Sequence, residues 1–263
     1  MNPGLLWLVG WGAAACVMVG VWWVQRRWGN AGIVDVVWSY LVGILAIMFA
    51  WGSDGLPTRR IIVALLAAFW SIRLGTYLWI RVRSHKEDGR YAALKEQWGD
   101  QASRRMLIFF QYQAFGAALF ALPMLIASRN GAELNWIDGL GIGVFAIATL
   151  GEALADQQLA AFKREPSNSG RVCDRGLWKY SRHPNYFFEW LHWWAYVALA
   201  WAAPHGWIAW LGPIAMFYFI VFVTGIPPTE KQSLLSRGEA YRDYQRRTSA
   251  FFPWFPRRAS SES

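Results

Sequence analysis

The chain has only two cysteines, and their positions do not pair: Cys16 falls within an apolar run and Cys173 in a basic loop. This excludes a disulfide framework and the paired-cysteine spacing of a structural zinc site, and no metal is expected. Charge is equally scarce. Charged residues make up 16% of the 263 residues, whereas 55% are hydrophobic and 19 are Trp, which excludes an ordinary soluble domain of this length. No Gly-rich phosphate loop follows a strand, so a Rossmann domain is excluded as a nucleotide binder. Repeats and low-complexity tracts are missing too, leaving a single domain over residues 1–263. The net charge of +9 sits in short blocks between apolar runs, the pattern of membrane topology rather than of a basic nucleic-acid-binding domain.

What is present is a series of apolar runs. A bilayer core takes about 20 mostly apolar residues per helix. Seven stretches meet or approach that length: 5–24, 32–51, 61–80, 107–127, 137–159, 186–203 and 207–226. The first lacks a basic leader and a clean small-residue cleavage site before Arg26, so it is expected to remain as a helix. Of the 26 Lys and Arg, 22 fall at alternate segments on one side and three on the other. The predicted fold is therefore all-α: a polytopic bundle of seven transmembrane helices with the N-terminus outside and the C-terminus cytoplasmic. An amphipathic cytoplasmic tail over 229–258 ends in the aromatics Phe251, Phe252, Trp254 and Phe255, a membrane-interface anchor.

Polar residues inside such spans are expensive and mark candidate sites. Asp35 stands near the start of the second span, and Arg73 lies within the third with Tyr77 one turn on, on the same face. Comparable depth in neighbouring antiparallel helices predicts an Asp35–Arg73 pair. At the end of the fifth span, Glu152 and Asp156 share a helix face, and cations follow at once: Lys163, Arg164, Arg171, Arg175, Lys179 and Arg182. Carboxylates beside cations suit a ligand carrying both hydroxyls and phosphates. The loop into the sixth span then brings Arg182, His183, Asn185, Glu189 and His192 across the water-to-lipid boundary. Capping does not explain Glu189, which needs a partner such as Arg171 or Arg182. In the tail, Tyr241 and Tyr244 lie three apart on one face.

The segment GLWKYSRHPNYFFE, with EALADQQLAAFK before it and YRDYQRRTSAFFPWFP after it, resembles the bacterial membrane proteins allied to the steroid 5-alpha-reductases. The similarity is strongest from about Glu152 to Pro256, and NAGIVDVVW with Arg73 and Tyr77 extends it. The resemblance implies a seven-helix bundle in the bacterial inner membrane. It would hold NADPH in a cytoplasm-facing cavity and saturate the enone double bond of a lipidic or steroid-like substrate. By that resemblance Glu152 and Asp156 meet the nicotinamide and ribose part of the cofactor, Arg171 a phosphate, and Asn185 the cofactor with Glu189 as a buried acid beside it. Tyr241 or Tyr244 lines the same cavity, and Arg164, Arg182 and His183 fall in the cationic stretch around it. Catalysis falls to Asp35, Arg73 and Tyr77. In the steroid reductases a Gln-Glu pair and a Tyr polarise the substrate carbonyl; here Asp35 stands for the acid, while Trp70 occupies the position aligned with that Tyr.

The RHPNY loop with an acidic, Tyr-rich terminal helix also resembles the isoprenylcysteine-type carboxyl methyltransferases, for which Glu230 would serve an S-adenosylmethionine site. A non-enzymatic lipid-binding protein, with its polar residues stapling helices, is the third alternative.

Overall fold

The computed structural model describes residues 1–84 and 87–257. Among them there is no strand, only helices and one isolated bridge between Ser181 and Ser249. Six helical stretches are long and apolar enough to cross a membrane: Pro3–Trp28, Ile33–Gly52, Pro57–Ser84, Gly89–Ala127, Trp136–Arg164 and Gly206–Arg237. Of the tail expected over 229–258, Arg258 lies outside the described residues. The chain forms two compact units, one of Met1–Ile137 with Tyr196–Gly212, the other of Asp138–Ala195 with Pro213 onward.

In the first unit, α1 (Pro3–Trp28), α2 (Ile33–Gly52), α3 (Pro57–Ser84), α4 (Gly89–Trp98) and α5 (Ala102–Ala127) follow one another. With no hydrophobic drive between helices in lipid, small residues and cross-helix hydrogen bonds must bring them together. Between α2 and α3 a Cβ on Gly43 would stand 2.4 Å from the Ser71 side chain, and Ser71 Oγ donates to the Ser39 carbonyl at 2.8 Å. α1 is fixed to α5 by Trp7 Nε1 on the Ala118 carbonyl (2.9 Å) and Trp22 Nε1 on the Ser103 carbonyl (2.8 Å). Trp70, Phe49, Phe110, Leu45 and Met18 fill the interior. Ile61, Leu65, Phe69 and Ile72 instead form an exposed stripe on α3, a face that suits hydrocarbon rather than water. Arg59, fully buried, donates to the carbonyls of Asn130 and Ala132 at 2.8 and 2.6 Å, which ties the start of α3 to the chain after α5.

In the second unit, α6 (Trp136–Arg164) leads through a long loop to α7 (Pro184–Leu191), and α8 (Trp193–Leu199) begins there. The sixth expected span, 186–203, is thus divided at His192. Its imidazole Nδ1 donates to the Glu189 carbonyl at 2.6 Å, diverting an acceptor that a continuous helix would give to a backbone N–H. The last expected span is also irregular. α9 (Leu211–Tyr218) passes into a π-helical turn, Phe219–Val223, before α10 (Ile226–Arg237) and α11 (Glu239–Arg247). Gly225 ends the π turn where a Cβ would lie 2.6 Å from the Ile220 carbonyl, and Pro227 and Pro228 open α10, where missing amides are harmless.

Candidate functional site

The loop between α6 and α7 is gripped from both sides. From α6, Gln158 Oε1 accepts the Leu177 amide at 2.8 Å and the Ala155 carbonyl accepts Trp178 Nε1 at 2.9 Å. Gly176 makes this approach possible, with φ at 60° and a notional Cβ 2.5 Å from Gln158. From the tail, Arg182 donates its amide to the Ser249 carbonyl (2.8 Å), Ser181 Oγ donates to the Phe251 carbonyl (2.9 Å), and the Trp254 amide donates to the Tyr180 carbonyl (2.9 Å). Tyr244, buried on α11, donates its hydroxyl to the Trp178 carbonyl and lies 3.3 Å from that of Ser181.

This grip aims Arg182 and His183 at Glu230, just beyond the first turn of α10. Arg182 Nε donates to Glu230 Oε1 at 2.6 Å, and its Nη1 donates to the carbonyls of Gln245 and Thr248 at 3.1 and 2.6 Å. Gln245 Nε2 donates to Glu230 Oε2 at 2.8 Å, and His183 Nε2 lies 3.3 Å from Glu230 Oε1. The Arg182 and Glu230 side chains are only 11% and 15% exposed. His183 stacks flat on Tyr186 at 5.3 Å between centroids. Burial holds the His183 pKa below its usual value against the opposing pull of Glu230, so the ring is neutral at pH 7. Burial also pushes Tyr241 up to about 12 and raises Tyr244, leaving two neutral hydroxyls.

These groups surround a cavity of about 210 Å³, and Arg182, His183, Asn185, Tyr241 and Tyr244 line it, as does Lys163 at the end of α6. Asp156 reaches the same place through Asn185, whose Nδ2 donates to Asp156 Oδ1 at 3.2 Å; Asn185 Oδ1 is buried and accepts no hydrogen bond. Arg171 lines a second, adjoining cavity of about 170 Å³. Glu152 is buried on α6 and Glu189 is half-buried on α7, but neither lines either cavity.

Arg164 ends α6 exposed and lines neither cavity, whereas its neighbour Lys163 lines both. One expectation is corrected here. Glu189 does not pair with Arg182, whose guanidinium is taken by Glu230 and two carbonyls. Sequence reasoning also left Trp178, Tyr186, Thr229, Ser233 and Arg237 out of the site. All five line the first cavity. Only Arg237 carried a usable signal, as a cation in the last turn of the amphipathic tail helix.

The catalytic residues assigned from sequence lie in the first unit. Asp35, in the first turn of α2, accepts the Tyr91 hydroxyl on Oδ1 at 2.6 Å and Arg90 Nη2 on Oδ2 at 3.4 Å. The predicted Asp35–Arg73 pair is therefore corrected to Asp35–Arg90. The reason is that the segment after α3 folds back as α4 and delivers Arg90 and Tyr91 to the start of α2, an approach that span depth alone does not reveal. Glu87 secures that return, accepting the Ala31 amide at 2.7 Å and Lys95 Nζ at 2.5 Å. Arg73 lies partly buried midway along α3, while Tyr77 is 58% exposed, which removes it from any enclosed cavity.

Fold and site together define a helical protein with helices long and apolar enough for the bilayer and, in the second unit, a tail-strapped polar cavity at the end of α6. The chain belongs to the family DUF1295, described as a protein of unknown function, which it matches over residues 21–248. An uncharacterized protein of the fission yeast Schizosaccharomyces pombe is 28% identical over 268 residues, spanning 89% of this chain and 75% of the yeast protein. No solved structure matches.

Proposed function

We propose that the protein is a membrane reductase that uses NADPH to saturate a carbon–carbon double bond, of the enone type, in a lipidic or steroid-like substrate. The observation that carries this is Asn185. The residue lines a cavity with Lys163, Tyr241 and the neutral His183, and its Oδ1 is buried without a hydrogen-bond partner, an acceptor left over for an amide donor such as a nicotinamide carboxamide. The family includes steroid 5-alpha-reductase-like proteins, which supports the same class. The residues present fit the cofactor's chemistry: hydroxyl donors, a ring to stack on, and cations beside them.

When bound, NADPH supplies the hydride for the electron-poor carbon of the double bond, and a proton completes the saturation. The chain's own residues bind and orient. Asp156 fixes the Asn185 amide by accepting from its Nδ2, and the His183–Tyr186 stack forms a flat wall. Within the first unit Asp35 holds the Tyr91 hydroxyl, while Tyr77 is exposed. Seven crossings are proposed, with the divided α7–α8 segment as the additional one. The N-terminus would lie outside and the C-terminus and cofactor site in the cytoplasm, in a bacterial inner membrane.

One observation favours the methyltransferase reading: Glu230 sits on the Arg182–His183 pair beside the cavity. Titration of the detergent-solubilised protein, followed by nicotinamide fluorescence, separates the two. The reductase requires saturable NADPH binding that Asn185→Ala weakens about tenfold or more while the variant keeps its helical signal. Saturable binding of S-adenosylmethionine with none of NADPH would replace it with the methyltransferase. Normal NADPH affinity in Asn185→Ala would remove this residue from the site. A variant that melts earlier in a protein that binds neither ligand would leave the polar residues as helix staples.

A further inference from the structure

The tail beyond α11 is a strap with two unlike faces. Its backbone is stitched to the loop before α7 by the Arg182 amide on the Ser249 carbonyl, the Trp254 amide on the Tyr180 carbonyl and a bridge between Ser181 and Ser249. On the inner face Phe251 is buried against Phe187 and Trp190 of α7 and Phe217 of α9, with ring centroids 5.9, 5.7 and 5.4 Å away. On the outer face Phe252, Trp254 and Phe255 are 50% to 77% exposed, and Phe255 meets the exposed Tyr180 ring edge-on at 6.0 Å. The four aromatics that the sequence groups as one anchor are thus divided, with Phe251 in the core and three outside. Two cations flank the outer row: Lys179, 6.0 Å from the Tyr180 ring, and Arg257. Among the described residues neither pairs with a carboxylate, whereas Arg242, Arg246 and Arg247 of α11 pair with Glu239, Asp243 and Asp174. Exposed aromatics beside unpaired cations match a lipid surface with anionic headgroups, which takes the rings at its interface and the charges at its phosphates.

The strap also holds residues that line the first cavity. Arg182 donates to the Thr248 carbonyl at the start of the strap, and Tyr244, one turn earlier, donates to the Trp178 carbonyl; Arg182, Trp178 and Tyr244 all line that cavity. Trp178 packs in turn with Phe162 and Cys173 in one buried cluster, and Cys173 lines the cavity too. A lifted strap therefore frees Arg182, loosens Trp178 and exposes the Cys173 thiol. We propose that the outer face of the strap docks on an anionic lipid surface, and that this contact keeps the wall of the first cavity assembled. By linkage, lipid that favours the docked strap favours the assembled cavity by the same factor, whatever ligand the cavity takes. Each basic side chain near an anionic leaflet contributes a factor of about five.

The test uses the full chain with Cys16→Ser, which leaves Cys173 as its one thiol. The protein is placed in nanodiscs of phosphatidylcholine alone or mixed with phosphatidylglycerol, and the rate at which a maleimide labels Cys173 reports how often the wall opens. Labelling should be about fivefold slower or more with phosphatidylglycerol present. The double variant Lys179→Gln with Arg257→Gln should lose that difference between the two lipids. Trp254→Ser with Phe255→Ser should label about fivefold faster or more than the parent in both lipids. Trp136→Ser, an exposed indole at the opposite end of α6, should behave as the parent does. Equal labelling of the parent in the two lipids would overturn the proposal, as would a charge variant that still responds to phosphatidylglycerol. A folded aromatic variant that labels like the parent would overturn it as well. If the aromatic variant does not fold, the charge variant decides alone, since Lys179 and Arg257 are exposed and pair with no carboxylate among the described residues.

Discussion

The two polar clusters are built by opposite means. Around Asp35, every partner comes from α4 and the turn just before it, and the groups are half open: Asp35 is 27% exposed and Arg90 43%. Around Glu230, the partners come from three separated segments, the loop before α7, α10 and α11, and Arg182 and Glu230 are nearly closed off. The first is a lid-like local return that satisfies one carboxylate. The second is a long-range knot around a cavity, and breaking one of its members leaves the others charged and dry. A buried pair is thus a constraint more than a source of stability.

That contrast predicts a graded set of losses. Glu230→Ala comes first: with Arg182 and His183 left facing each other, unfolding in detergent should show a loss of about 3–5 kcal/mol. A loss under about 1 kcal/mol would mean that water reaches Arg182 freely. Tyr244→Phe follows, since its hydroxyl serves two buried carbonyls, and about 1–3 kcal/mol should disappear in the same measurement. Asp35→Asn, at the more exposed cluster, should cost only about 1 kcal/mol of stability. It should still lower turnover of any enone substrate by a larger factor than its effect on melting; parity of the two effects would make the cluster structural.

The pH response sharpens the comparison further. His183 has a folded pKa below its unfolded value near 6.5, so the unfolded chain binds the proton more readily. Its contribution is complete above about pH 6.5 and is lost as pH falls from there through the lower folded pKa. Melting temperature measured from pH 8 to 5 should therefore decline below about 6.5, and His183→Gln should flatten that part of the curve. An unchanged slope in the variant would assign the decline to other groups. At the bottom of the scale, Arg164→Gln should leave melting within about 0.5 kcal/mol of the parent, as surface substitutions do.

Much of the second unit was legible in sequence because its signals are local. Charge and helix phase marked Asp156, the family resemblance set Asn185 beside the same ligand, and the structure joins the two by a hydrogen bond. Tyr241 and Tyr244 share a face three residues apart, and both line the cavity. The first five expected spans each lie within, or one residue from, a helix, because long apolar runs leave the backbone no other way to satisfy its hydrogen bonds. What was not legible depends on backbone returns. Arg182 looked like a phosphate ligand until the tail carbonyls of Gln245 and Thr248 were seen to take it. Asp35 looked like the partner of Arg73 because the return of α4 has no hydrophobic signature. The interruption at His192 was hidden for a related reason: a side-chain bond to the Glu189 carbonyl breaks a helix without changing its apolar composition.

The central claim is that the cavity of the second unit holds a phosphorylated nicotinamide dinucleotide. It is tested most directly by the melting temperature of the purified full chain in saturating NADPH, NADH or S-adenosylmethionine. NADPH at about a hundred times its Kd should add about 2.7 kcal/mol, a rise of roughly 5–10 °C, with a smaller rise for NADH and none for S-adenosylmethionine. A rise with S-adenosylmethionine and none with NADPH would contradict the account.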